Sequence, residues 1–358
     1  MSSGARTGTH TAPVQKERDV FMEYIRAGAP QFKANLHSHS VLSDGKLTPE
    51  ELVEIYREHG YAVLAITDHE APYDHTALST PEMLLVTGYE AYIRPSADAK
   101  QDPFGPEVHL NLFARQPHNT TYICYDPPFC KYMPHAEAEA LAQAGAREPR
   151  RYTPAYINAF IEAARGAGYL VSYNHPGWSM EAEADIMAYR GCFSLEMFNT
   201  GAQQISGYEC NGALYDRLLR SGRRLYCHGA DDNHNVRPLE DPRSDSFGAW
   251  TMILAPELKY DSILAALEKG DFYASTGPEI TSLSILGTVV SLECSPAVRI
   301  RMVESPKRTA QVAAEKGKSV THANFIIPPE APYVRFSVTA ADGTQAHTRA
   351  FFRDELGL

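Results

Sequence analysis

Short apolar runs recur along the chain from position 32 onward, at 32–36, 63–67, 84–87, 108–113, 170–173, 193–198, 225–227 and 249–254. Between them lie stretches whose apolar residues return every three or four positions, at 49–59, 154–166, 181–189, 212–221 and 260–269. The first kind predicts strands buried on both faces and the second predicts amphipathic helices. Thr48-Pro49-Glu50-Glu51 marks one helix start, with Thr at the N-cap, Pro at the first helical position and Glu at the third. Strands alternating with helices predict an α/β fold built on a parallel sheet, open or closed into a barrel. Neither GxGxxG nor GxxxxGK[ST] occurs, so the two common nucleotide-binding forms of that architecture lack their signatures.

Three segments depart from the alternation. Residues 1–30 are polar and small and read as a loose arm, with a short helix around 19–26. Residues 114–152 mix turn formers, aromatics and a short Ala-rich stretch, an excursion of the length that usually forms a cap over a site. After Gly277-Pro278 the helical period stops, and β-type runs at 282–286, 298–302, 334–339 and 350–352 predict a small antiparallel β appendage over 279–358. The barrel would then occupy 31–278, and no internal repeat interrupts it.

Composition narrows the function. The 358 residues carry 33 Lys+Arg against 44 Asp+Glu, a formal net charge of −11, which disfavours a partner such as duplex nucleic acid or an anionic membrane. No apolar run reaches the ~18 residues of a spanning helix, and the N-terminal stretch lacks the apolar core of a signal peptide, so a soluble, cytoplasmic protein is expected. Six cysteines without any CxxC pair read as reduced, inert thiols. The 14 histidines are the unusual count.

The chemistry lies at the carboxyl ends of the apolar runs, the ends that converge on one rim in parallel α/β folds. The successive ends carry His37, His39 and Asp44; Asp68 and His69; Glu90; His175; Glu196; and Asp231, Asp232 and His234, while His109 sits near the start of its run. In His37-x-His39 and Asp232-x-His234 the paired residues are two apart, so on an extended chain both side chains leave the same face and can hold one cation or two neighbouring ones. Mixed imidazole and carboxylate sets suit Zn, Mn or Fe. Glu196 reads as a hydrogen-bonding residue of the rim, and the histidines off the pattern (His10, His59, His75, His118, His135, His322 and His347) as surface or structural groups.

The run NLHSHSVLSDGKLTPEELVEIYREHGYAVLAITDHE resembles the first two motifs of the PHP (polymerase and histidinol phosphatase) superfamily, and GxE, a lone His, NHP and DxH follow in order through 31–278. The resemblance implies a metal-dependent phosphoesterase on a distorted (β/α)7 barrel holding two or three divalent metal ions. It implies the ligands His37, His39, Asp44, His69, Glu90, His109, His175, Asp232 and His234, with Glu90 bridging. The last motif, GADDNHN, leaves Asp231 or Asp232 as the ligand; only Asp232 has the DxH spacing. Asp68 is expected to orient a ligand imidazole. FYASTGPEI, at 272–280, resembles the subgroup related to carbaryl hydrolase.

Divalent cations in that number would outweigh the three carboxylates and leave a positive pocket inside an acidic protein, which suits phosphate. The expected reaction is hydrolysis of a small phosphomonoester or nucleotide phosphate by a metal-bridging hydroxide, with protonated His234 or His228 assisting the leaving group. Arg237, Arg243, Arg94 and Lys131 are the candidates for gripping a substrate phosphate, and Tyr122, Tyr125, Phe129 and Tyr132 for stacking on it or packing a lid. Two other readings share these residues: the same site acting on a non-phosphate ester or carbamate, and a non-catalytic metal or sugar-phosphate binding module. The partner expected is a small-molecule phosphate ester; a homo-oligomer stays open, and association with a DNA polymerase is not expected of a chain without a polymerase-sized extension.

Overall fold

The computed structural model describes residues 20–207, 210–305 and 308–358. The helix predicted after Thr48 forms at Pro49–Glu58, and its capping box is complete: Thr48 Oγ1 accepts from the Glu51 amide and the Glu51 carboxylate accepts from the Thr48 amide. Leu52, Val53 and Tyr56 form its buried face. Helices Pro154–Gly166, Gly212–Arg220 and Tyr260–Lys269 follow the predicted periods closely. The helix expected at 181–189 shrinks to Glu183–Ile186.

The buried runs become two central sheets. Phe32–Asn35, Val63–Ala65 and Leu84–Val86 pair in parallel, and Trp250–Ile253 joins Phe32–Asn35 from the other side in antiparallel sense. The second sheet places Gly88–Ile93, Val108–Ala114, Tyr169–Tyr173, Ser194–Asn199 and Tyr226–Ala230 in that spatial order. Neighbours among its first three strands are antiparallel, and the last three run parallel.

The fold is therefore mixed α/β, and the strands of the expected distorted (β/α)7 barrel fall into two hydrogen-bonded sheets rather than one among the described residues. Only Thr87 separates Leu84–Val86 from Gly88–Ile93, so the chain crosses between sheets with no intervening helix. Gly88 permits the crossing, because a Cβ there would sit 2.5 Å from the carbonyl oxygen of Leu112. The two sheets meet through isolated bridges, Ser38 with Asn233 and His69 with Glu90, which bring the candidate residues of both sheets together.

The C-terminal strands are antiparallel and in part continue the first sheet. Gln345–Thr348 pairs with Phe272–Ser275, and beyond it Tyr333–Thr339, Arg299–Ser305 and Arg308–Ala313 extend the first sheet. Ile280–Leu286, Val289–Ala297 and Val320–Ile326 form a further antiparallel sheet. Phe21–Ile25 is its edge strand rather than the short helix expected around 19–26, since pairing with Ile280–Leu286 outweighs the local helical spacing of Phe21, Tyr24 and Ile25. Residues 1–19 of the proposed arm, including His10, lie outside the described residues.

The 114–152 excursion is folded onto the body. Tyr122–Ile123 pairs with Gln143–Ala144 around helix His135–Ala140. Its anchor is Arg150, whose guanidinium donates to both oxygens of Glu70 and to the Tyr92 carbonyl, with the side chains of Arg150 and Glu70 fully buried. Cys124, Cys130, Cys192, Cys227 and Cys294 are free thiols, and no helix among the described residues is long and apolar enough to cross a membrane.

Candidate metal centre

Glu90 stands at the centre of the strand-end residues. Its carboxylate is fully buried and lies 3.2 Å from His37 Nε2, 3.4 Å from His39 Nε2, 3.0 Å from His69 Nδ1, 3.1 Å from His109 Nδ1 and 3.3 Å from His175 Nε2. Asp232 faces the same histidines, 3.1 Å from both His37 and His39 and 3.8 Å from His175. Asp44 reaches His39, His69 and His234 at 3.8, 3.7 and 3.4 Å. All nine predicted ligands are thus drawn together. Eight of them, all but His175, compose three overlapping groups able to hold a cation: His39, Asp44, His69 and His234; His37, His39, Glu90 and Asp232; and His69, Glu90 and His109.

Local backbone explains how they converge. The turn carrying Asp44 folds back so tightly that a Cβ on Gly45 would lie 2.1 Å from the His39 carbonyl oxygen, which accounts for glycine in SDG. His175 and Asp232 both adopt positive φ, 23° and 55°. The strand Tyr226–Ala230 has ended before Asp232, so Asp232 and His234 share the site through a left-handed turn rather than by the expected extended spacing.

The residues fit a cationic group. His37 Nδ1 lies 2.7 Å from Glu196 Oε1, so the neutral ring donates there and its Nε2 lone pair meets the carboxylates of Glu90 and Asp232 and the Nε2 of His39 at 3.1 Å. Lone pairs converging without a cation between them repel. Buried Glu90 Oε2, His69 Nδ1 and His109 Nε2 make no hydrogen bond of good geometry among the described residues, although Glu90 Oε2 and His69 Nδ1 lie 3.0 Å apart, as atoms awaiting a ligand would. Electrostatics record the same demand. Burial alone would lower the histidine pKa values, but Asp232 and Glu90 carry His39 up to about 10, and Glu90 with Glu107 carries His109 up to about 10. His37 is also raised, against burial, by Asp232, Glu90 and Glu196. Burial wins at His69, which is lowered. Burial pushes Glu90 and Asp232 upward, yet the surrounding imidazoles, His37 foremost, hold both well below the usual carboxylate range.

Supporting groups differ from expectation at several points. Glu196 orients His37 and accepts from the His175 amide and Asn199, so it is a buried brace of the cluster rather than a rim residue. Asp68 touches no imidazole: it accepts from the Ser40 amide and hydroxyl and from Ser43 Oγ, which lies 3.5 Å from His39 Nδ1, so its influence passes through the loop. Asp231 faces away, accepting from Tyr56, Thr200 and the amides of Phe247, Gly248 and Ala249, which leaves Asp232 in the cluster. His228 is not on the rim. It is fully buried against Ser194, and burial lowers its pKa to about 4, so it is neutral at physiological pH and reaches no leaving group. Asn174, missed in the sequence, donates to Glu90 Oε1 at 2.7 Å. Trp178, also missed, packs edge-on against His109 and His175.

Cavities flank the cluster on both sides. One, of about 180 Å³, is shared by Asp44, His69 and His109 with Arg94, Lys131 and Tyr132. Another, of about 490 Å³, is shared by Asp232 and His234 with Arg237 and Arg243. Each of these four cations already has an acceptor: Arg94 has Glu107, Lys131 the Ala97 carbonyl, and Arg237 and Arg243 both have Asp241. Of the excursion aromatics, Tyr122, Tyr125 and Phe129 are buried as lid packing, whereas Tyr132 stacks over His69 on the cavity side.

Residues 35–143 match the PHP domain family. The chain is 39% identical over 97 residues to an error-prone DNA polymerase of Mycobacterium bovis, covering 26% of this chain and 9% of that protein. It is 31% identical over 159 residues to an error-prone DNA polymerase of Mycolicibacterium paratuberculosis, covering 42% of this chain and 13% of that one. The chain therefore spans only a small part of these relatives. Among solved structures, a two-domain protein of Bacteroides vulgatus containing a predicted PHP-like metal-dependent phosphoesterase is similar over 95% of this chain and 100% of that one, at 16% identity and a TM-score of 0.45.

Proposed function

We propose that this chain, with its PHP domain match over 35–143, is a metal-dependent phosphoesterase that hydrolyses a small phosphomonoester or nucleotide phosphate. The observation that carries the reading is the buried Glu90 carboxylate, ringed by five imidazoles and backed by Asp232. A mixed imidazole and carboxylate set of this kind suits two or three Zn, Mn or Fe ions. Bound there, such ions activate water and neutralise charge on a phosphoryl group.

The chain's own residues divide the remaining work. His37, His39, Glu90 and Asp232 hold the deep position; Asp44, His69 and His234 hold the outer one with His39; and His109 and His175 close the side toward Trp178. His234 is partly exposed, so with the outer position unfilled its ring can pass a proton to a departing oxygen instead of holding metal. Arg94 and Lys131 on one flank, and Arg237 and Arg243 on the other, supply cations for the outer phosphate oxygens by exchanging their present acceptors. The test is a panel of phosphomonoesters and nucleotides assayed beside aryl esters and carbamates with metal-reconstituted protein. Phosphate release is expected; turnover of the esters or carbamates alone would overturn the reading.

A further inference from the structure

A cavity of about 470 Å³ lies apart from the metal cluster. Cys192 and Leu225, which line it, precede the strands Ser194–Asn199 and Tyr226–Ala230, so it opens at their amino ends, whereas the cluster sits at the carboxyl ends. Its floor is apolar: Ile186, Leu218 and Leu225, beside the rings of Tyr173 and Tyr189. Its rim carries Arg190, Arg223 and Arg224.

The state of those arginines is informative. Arg224 is paired with Asp354. Arg190 and Arg223 form no ion pair with any carboxylate among the described residues, and both donate to the same two carbonyls, those of Met187 and Tyr189. The nearby carboxylates are engaged elsewhere: Glu181 accepts from the hydroxyls of Tyr152, Tyr173 and Tyr189, and Glu183 pairs with Arg217. Two like charges are thus held side by side on a cavity wall. A guanidinium has five N–H donors, and two carbonyls leave several of them unspent.

We propose that this cavity binds an aromatic anion, its charged group against Arg190 and Arg223 and its ring system against Ile186, Leu218 and Leu225. An anionic group would relieve the repulsion and gain charge-assisted hydrogen bonds, and the apolar floor would take the rings out of water. The site is independent of the metal chemistry.

The test uses two fluorescent probes of nearly the same shape, anilinonaphthalene sulfonate and its uncharged parent N-phenylnaphthylamine, titrated against the full, metal-loaded chain. The sulfonate is expected to bind once per chain and about tenfold tighter than the parent. Arg190→Gln with Arg223→Gln should erase that preference while leaving the uncharged probe unchanged, and Arg190→Gln alone should reduce it several-fold. Asp232→Asn should leave it intact. Absence of the preference, its survival in the double variant, or its loss in Asp232→Asn, which would place the sulfonate on the metal cluster, would each overturn the proposal.

Discussion

His37 Nδ1 and Glu196 Oε1 lie 2.7 Å apart with both side chains fully buried. That contact fixes which nitrogen of His37 faces Glu90 and Asp232, since the proton is spent on Glu196. A carboxylate behind a metal-facing imidazole also raises the ring's basicity. Glu196→Gln should therefore weaken metal binding by about 10- to 100-fold with the fold retained, measured by competition with a chromophoric chelator. An unchanged affinity would mean that another contact orients His37.

The adjacent aspartates should separate cleanly. Asp232 faces three histidines of the cluster, and Asp232→Asn should abolish binding at the deep position. Asp231 instead satisfies three backbone amides and two hydroxyls, so Asp231→Ala should cost about 3 kcal/mol or more in denaturant unfolding, through the donors it strands. Equal effects of both changes on metal content would contradict this division.

The metal-free chain should show a pH signature that metal removes. His39 and His109 are pushed up to about 10, so their contribution to stability is complete below the ordinary imidazole value of about 6.5 and is lost as pH rises toward 10. Asp232 and Glu90 are held low, so their contribution is present above the ordinary carboxylate range and lost as pH falls through it. Metal-free protein should thus be most stable between about pH 5 and 7, with its Tm falling toward pH 10. The loaded protein should lack the alkaline loss, and metal uptake at about pH 7 should release protons, read by calorimetry in buffers of different ionisation enthalpy. A Tm of the metal-free chain that is flat from pH 7 to 10 would exclude the coupling.

Arg150 and Glu70 form a buried ion pair 80 residues apart in sequence, and they tie the excursion with Lys131 and Tyr132 to the rim. Arg150→Met should cost about 3–5 kcal/mol, because it leaves the Glu70 carboxylate buried and unpaired. It should also make 114–152 the first site of limited proteolysis. Persistent resistance of that segment would show that other packing holds the cap.

What the sequence displayed and what it concealed follow from range. Most helices were legible because periodicity is local, and the nine candidate ligands because the residues near the strand ends fall in the order of the PHP motifs that the sequence resembles. Glu196 was visible as a strand-end carboxylate, but its grip on His37 depends on which strands lie side by side. The DxH spacing favoured Asp232 over Asp231, but the left-handed backbone at Asp232 that turns the two side chains apart is not carried by any spacing. The extension of the first sheet runs through Gln345–Thr348, a polar QAHT strand that acquires its form from pairing with Phe272–Ser275 rather than from its own pattern. The break in strand–helix alternation has a similar origin, in a single-residue crossing at Thr87 that leaves no room for a helix.

The central claim is that the cluster around Glu90 hydrolyses phosphate esters through bound metal. Its most direct measurement is phosphate release by chelator-stripped protein, titrated with Zn, Mn or Fe(II), in the native chain and in Asp232→Asn. Phosphate release that returns with metal in the native chain and stays below about 1% of it in the variant is the predicted result. Equal release by the variant, or by stripped protein without added metal, would contradict it.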